Sequence, residues 1–121
     1  GKIVRTGKDI AIFAFGNMLE PSLRASEKIN ATVIDMRFVK PLDENLIIDT
    51  ANSYKKLISI EDNTVSGGAG SAINELLQSK NIKTRLHILG VPDLVTEHGS
   101  QDELYLLYGL HEENIINVAK N

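Results

Sequence analysis

Short, continuous apolar runs alternate along this chain with stretches whose apolar residues recur at helical spacing, and that alternation leaves few folds open. A run such as Ile10-Ala11-Ile12-Phe13-Ala14-Phe15 has no polar residue to turn toward water on either side, so it suits a central strand covered on both faces. Strands of this kind, separated by amphipathic helices, build a sheet sandwiched between helix layers. Thr32-Val33-Ile34-Asp35, Leu57-Ile58-Ser59-Ile60-Glu61 and the segment from Arg85 to Leu89 read as further strands of the same sheet. The fold class is α/β, with a doubly wound sheet.

The helices follow from caps and period. Gly16 ends the first apolar strand, and Asn17 with Glu20 three residues on forms a variant capping box, Pro21 being tolerated in a first turn. That helix runs to about Lys28. Asp43 caps the next, which places Ile47, Thr50, Ala51 and Tyr54 on one face. Ala69, Ala72, Ile73, Leu76 and Leu77 give the clearest apolar stripe, closed at Asn81. Gly90-Val91-Pro92-Asp93 reads as a loop, and Ser100 with Glu103 as the capping box of a short helix that Gly109 ends in a left-handed cap. The last helix covers about His111 to Lys120, with Glu112 and Glu113 in its first turn and Lys120 in its last, as the helix dipole favours.

A length of 121 residues fits one domain, 1–121, and with a first residue other than Met the chain is expected to be a fragment of a longer protein. With 42% hydrophobic and 24% charged residues, a packed core is expected. Thirteen basic residues against 16 acidic ones give a net charge of −3 without a basic cluster, which argues against nucleic acid as a partner. No cysteine is present, so disulfides and thiolate chemistry are excluded and a reducing, cytoplasmic setting is expected. No apolar run approaches the roughly 20 residues of a membrane-spanning helix, so no membrane partner is expected.

The segment Ser66-Gly67-Gly68-Ala69-Gly70-Ser71 follows a strand and opens a helix, and it supports two readings. Backbone N–H groups at Gly67, Gly68, Gly70 and Ser71, with the positive helix end behind them, can hold an anion. Alternatively, the glycines let turn, helix and sheet pack closely. Ile73 stands where a dinucleotide fingerprint needs its third glycine, and no lysine completes a phosphate loop. Arg37 lies at the carboxyl end of a strand, where open α/β sheets keep their ligands. It can pair with Asp35, or with Glu61 or Asp62 at the next strand end, either as a ligand contact or as an ion pair fixing a loop. None of His87, His98 and His111 has a partner at the spacing of helical metal ligands, so no metal site is expected. His87 reads as a satisfied core residue and His111 as a helix-start residue. His98 is either a surface residue or the one histidine placed for proton transfer. Gly-x-Ser-x-Gly is absent, and the stripe of Leu104, Tyr105, Leu107 and Tyr108 suits a core or an interface. No catalytic residue is assigned.

Taken in order, Asp35-Met36-Arg37-Phe38-Val39-Lys40-Pro41-Leu42-Asp43, Glu61-Asp62-Asn63, Gly67-Gly68-Ala69-Gly70-Ser71, Gly90-Val91-Pro92-Asp93 and His98-Gly99-Ser100 resemble the C-terminal domain of the 1-deoxy-D-xylulose-5-phosphate synthases. Transketolases and the β subunits of 2-oxo acid dehydrogenases share the architecture, the latter with a similar Arg37-to-Asp43 segment. The resemblance implies a three-layer α/β/α fold around a five-stranded mixed sheet in the order 1-3-2-4-5, with strand 1 antiparallel; Ile3-Val4-Arg5 would be that strand. It implies a parent transferase in which pyruvate loses carbon dioxide on thiamine diphosphate and the two-carbon unit joins glyceraldehyde 3-phosphate, supplying isoprenoid, thiamine and pyridoxal synthesis. Thiamine diphosphate and magnesium belong to two upstream domains in such enzymes, so the resemblance assigns this chain no catalytic residue, cofactor or metal. Its implied partners are those domains and a second copy in a homodimer, with Arg37, Glu61 and His98 at the active-site mouth or fixing its loops. Two alternatives stand beside it: the matching domain of a 2-oxo acid dehydrogenase β subunit, and a free-standing anion- or nucleotide-binding module built on Gly67 to Ser71.

Overall fold

The computed structural model describes residues 1–37, 42–64, 68–91, 106 and 109–121. Its strands are β1 (Lys2–Arg5), β2 (Ile10–Phe15), β3 (Thr32–Arg37), β4 (Lys56–Thr64) and β5 (Arg85–Val91). They form one sheet in the order β1-β3-β2-β4-β5, with β1 antiparallel to β3 and every other neighbouring pair parallel. The expected order and the antiparallel first strand are both borne out. The helices α1 (Leu19–Ile29), α2 (Glu44–Ser53), α3 (Ala69–Ser79) and α4 (Glu112–Lys120) cover its two faces.

Alternation along the strands decides which helix sees which residue. Ile12, Ala14, Val33, Ile58 and Ile60 pack on one side with Ala25 of α1 and with Ile115 and Ala119 of α4. Ala11, Phe13, Phe15, Ile34, Met36 and Leu57 pack on the other with Ile47 and Ala51 of α2 and with Ala69, Ile73, Leu76 and Leu77 of α3. Residues Ala11 to Phe15 are at most 1% exposed, as a strand without polar residues requires. Burying each large side chain of this set stabilises the fold by about 1.5–3 kcal/mol. Among the described residues no helix is long and apolar enough to cross a membrane.

Several helix ends match their sequence signals. The Asp43 carboxylate accepts from the Leu46 N–H at 3.4 Å, and His111 Nδ1 accepts from the Asn114 N–H at 3.4 Å. Asn81 closes α3 at φ 56°, and Gly109 takes φ 75°. Asn17 differs. A single 3-10 turn over Gly16–Met18 precedes α1, whose N-cap is Met18 without a side-chain bond, so Asn17 is directed elsewhere. Gly90 and Val91, read as loop, belong to β5 because the ladder continues to the pair Thr64 and Val91. Pro92-Asp93, the Ser100/Glu103 capping box, and Leu104, Tyr105, Leu107 and Tyr108 lie outside the described residues.

Neighbouring strands β2 and β4 send their chains to opposite faces, β2 into α1 and β4 into α3. Their carboxyl ends therefore form the switch point of the sheet, the place where open α/β folds leave a crevice for a ligand.

Candidate functional site at the carboxyl ends of the parallel strands

β4 delivers two consecutive acids, Glu61 and Asp62, to the switch point. Successive side chains of a strand point to opposite faces, so the pair divides between the two helix layers. Glu61 turns toward α3. Its Oε1 accepts from the Ala69 N–H at 2.7 Å and lies 3.5 Å from the Gly70 nitrogen, while Oε2 is buried without a hydrogen-bond partner among the described residues. The residue is 2% exposed. Burial raises its pKa above the ordinary glutamate value, the Gly70 and Ala69 amides oppose that shift, and the neighbouring Asp62 charge adds to it.

Asp62 turns the other way, toward the turn that precedes α1. Its Oδ2 accepts from Asn17 Nδ2 at 3.0 Å, which bridges the carboxyl ends of β2 and β4. Gly16 makes that approach possible. Its φ of 61° is left-handed, and a Cβ there would stand 2.4 Å from Asp62 Oδ1. One strand over, Arg37 ends β3 at φ 60°, a conformation costing a non-glycine residue roughly 1–2 kcal/mol. Asp35 offsets this: its Oδ1 accepts from the Arg37 N–H at 3.2 Å and its Oδ2 lies 3.4 Å from Arg37 Nε. The Arg37 side chain remains 66% exposed, so the pair fixes a strand end while presenting a cation to solvent.

The sequence-derived site residues therefore fall into distinct positions. Gly68 is the N-cap of α3 in extended conformation, and Gly70 and Ser71 lie in its first turn. A Cβ on Gly70 would stand 2.5 Å from Ile88 Cγ2 and 2.8 Å from Ser59 Oγ, the close approach of helix to sheet that one reading of the glycines anticipates. Glu61 meets α3 and Arg37 meets Asp35; no bond joins Arg37 to Glu61. Gly67 and His98 lie outside the described residues. His87 departs from its expected role as a satisfied core residue, since it is half-buried on β5 with Nε2 lacking a partner among the described residues. Burial first, then Arg85 and Lys56, lower its pKa.

Sequence reasoning missed Asn17, Gly16 and Ser59 as parts of this edge. The usable signal was a glycine at a strand end two strands away from an acid pair, but only the strand order makes them neighbours. Among the described residues no group of three or more His, Cys, Asp or Glu side chains is placed to hold a metal ion.

Comparison with known proteins places this geometry in context. The family model for the transketolase C-terminal domain matches residues 1–115. The chain is 46% identical to the 1-deoxy-D-xylulose-5-phosphate synthase of Psychromonas ingrahamii over 114 residues, covering 94% of the chain and 18% of that protein. It is 50% identical to the synthase of the same name from Aeromonas hydrophila over 111 residues, covering 91% of the chain and 18% of that protein. A solved structure described as a split gene transketolase, an inactive beta4 tetramer, superposes with a TM-score of 0.88 at 29% identity, covering 98% of the chain and 40% of that structure. The chain thus spans under a fifth of the length of these two synthases.

Proposed function

The chain belongs to the transketolase C-terminal domain family, and on that premise we propose that it is the C-terminal domain of a 1-deoxy-D-xylulose-5-phosphate synthase. The parent reaction joins the two-carbon unit left by decarboxylation of pyruvate to glyceraldehyde 3-phosphate. The observation that carries this reading is identity of 46–50% to synthases of that name across 91–94% of the chain.

Within such an enzyme the domain's work is structural: it holds two copies together and shapes the assembly near the active-site mouth, in the cytoplasm. The chemistry of the parent is supplied by thiamine diphosphate with magnesium. The described residues of this chain do not fit that group. No cluster of metal-ligating side chains is present among them, and the helix end best placed for a diphosphate already carries the Glu61 carboxylate, which repels one. No step of the reaction is derived through this chain. Arg37 and Glu61 act on the edge of the domain, the first by fixing the end of β3 and the second by fixing the start of α3.

The test compares the 121-residue chain with the full-length protein, each given thiamine diphosphate, magnesium, pyruvate and glyceraldehyde 3-phosphate. The full-length protein releases carbon dioxide and forms the five-carbon product, and the chain alone releases none. Full-length protein lacking this domain sediments as a monomer where the intact protein is a dimer. Carbon dioxide from the chain alone, or an unchanged dimer without it, overturns the assignment.

A further inference from the structure

We propose that the start of α3 is an oxyanion site whose ligand is the chain's own Glu61 carboxylate, a plug that keeps external phosphates and carboxylates out of the switch point. The helix has 11 residues, and its N-cap Gly68 offers no side chain to satisfy the first amides. Those amides instead find Glu61, eight positions earlier in sequence, on the last part of β4. Its carboxylate enters the place that a bound phosphate takes in folds of this class, with the positive helix end behind it.

A second observation marks this as a site for an oxyanion rather than an ordinary cap. Only Oε1 is bonded to the helix; Oε2 is buried with no hydrogen-bond partner among the described residues. Ser59 Oγ is also buried and has no hydrogen-bond partner among the described residues, and it lies on the same face of β4, two residues before Glu61. Gly70 sits against it, so close that a Cβ would stand 2.8 Å from the hydroxyl. The first turn of α3 therefore offers two amides, and the Ser59 hydroxyl stands beside the buried Gly70 without a hydrogen bond to Glu61. That donor set suits a small oxyanion such as formate, or one face of a phosphate. Asp62, on the other face of the same strand end, accepts from Asn17 Nδ2 at 3.0 Å.

Removal of the plug tests the idea by chemical rescue. Melting temperatures of the wild-type chain, Glu61→Ala and Glu61→Gln are measured in sodium formate and in sodium chloride of equal ionic strength. Glu61→Ala melts about 5 °C higher in formate at concentrations well above its dissociation constant, because formate binds only the folded form. Wild type and Glu61→Gln, which retain a side-chain oxygen against the amides, show no formate-specific rise. An equal rise in all three proteins, or none in Glu61→Ala, overturns the proposal. Should Glu61→Ala not fold in either salt, the wild-type chain decides: its Ala69 and Gly70 amide resonances stay unmoved by millimolar inorganic phosphate if the plug is in place, and a saturable shift shows an open site.

Discussion

Two glutamates each serve the first turn of a helix, and their surroundings drive them in opposite directions. Glu61, at the junction of β4 and α3, is buried against backbone amides with no cation beside it among the described residues, and its pKa is raised. Glu112, in the first turn of α4, accepts from Arg24 Nε at 3.1 Å and from Lys28 Nζ, both on α1, and its pKa is lowered. The Lys28 partner moves the complementary way, upward. One helix is thus fastened to the sheet by a buried contact between a carboxyl group and backbone amides, the other to its neighbouring helix by charge pairs open to solvent. The contrast shows that the helix dipole alone does not set the titration of an acid at a helix start. What decides is whether the charged form loses water without gaining a cation.

The sharpest way to break this contrast is to disturb the close packing that keeps the first junction dry. Gly70→Ala puts a Cβ 2.5 Å from Ile88 Cγ2 and 2.8 Å from Ser59 Oγ, so helix and sheet must move apart. The expected cost is about 2 kcal/mol, read from urea unfolding midpoints. A loss below about 0.5 kcal/mol, the range of an ordinary surface change, means that the junction is loose and the Glu61 environment is wetter than its burial implies. The next effect concerns charge. Because the folded-state pKa of Glu61 is raised, its contribution is fully present below the unfolded value and is lost as pH rises through the folded value. Glu61→Gln cannot ionise, so its stability relative to wild type increases with pH over the interval that opens at the ordinary glutamate value of about 4. Parallel stability curves for the two proteins across that interval contradict the raised pKa.

Most of the fold was legible because the strands are so apolar. Ile10 to Phe15 admits no surface position, and the stripe from Ala69 to Leu77 is unambiguous, so both emerged from period alone. β1 did not. Its four residues are mostly exposed, Ile3 at 51% and Val4 at 39%, and no alternation marks them; the family resemblance supplied that strand and its direction. The site was less legible than the fold. Glu61 and Gly70 were both singled out, but nothing in the linear sequence says that a residue at the end of one strand reaches the helix start eight positions later. Asn17 fitted a capping pattern, yet the 3-10 turn after Gly16 sends its amide across the sheet to Asp62, 45 positions away. Such contacts depend on strand order, which periodicity does not encode.

The smallest expected effect sharpens the comparison from the other side. Glu112→Gln removes the negative partner of Arg24 and Lys28 while keeping the size of the side chain. The folded-state pKa of Glu112 is depressed, so its contribution is present above the unfolded value and lost as pH falls through the folded one. Wild type is therefore slightly the more stable at pH 7, by less than the effect at Gly70, and the difference closes on acidification. Added salt closes it as well, since both cations are more than half exposed and screening acts on them directly. Unfolding midpoints at low and high sodium chloride, at neutral and acid pH, give the readout. The two glutamine variants should then run in opposite senses, Glu61→Gln gaining on wild type as pH rises and Glu112→Gln losing. If both run the same way, the burial of Glu61 and the pairing of Glu112 are not what separates these two junctions.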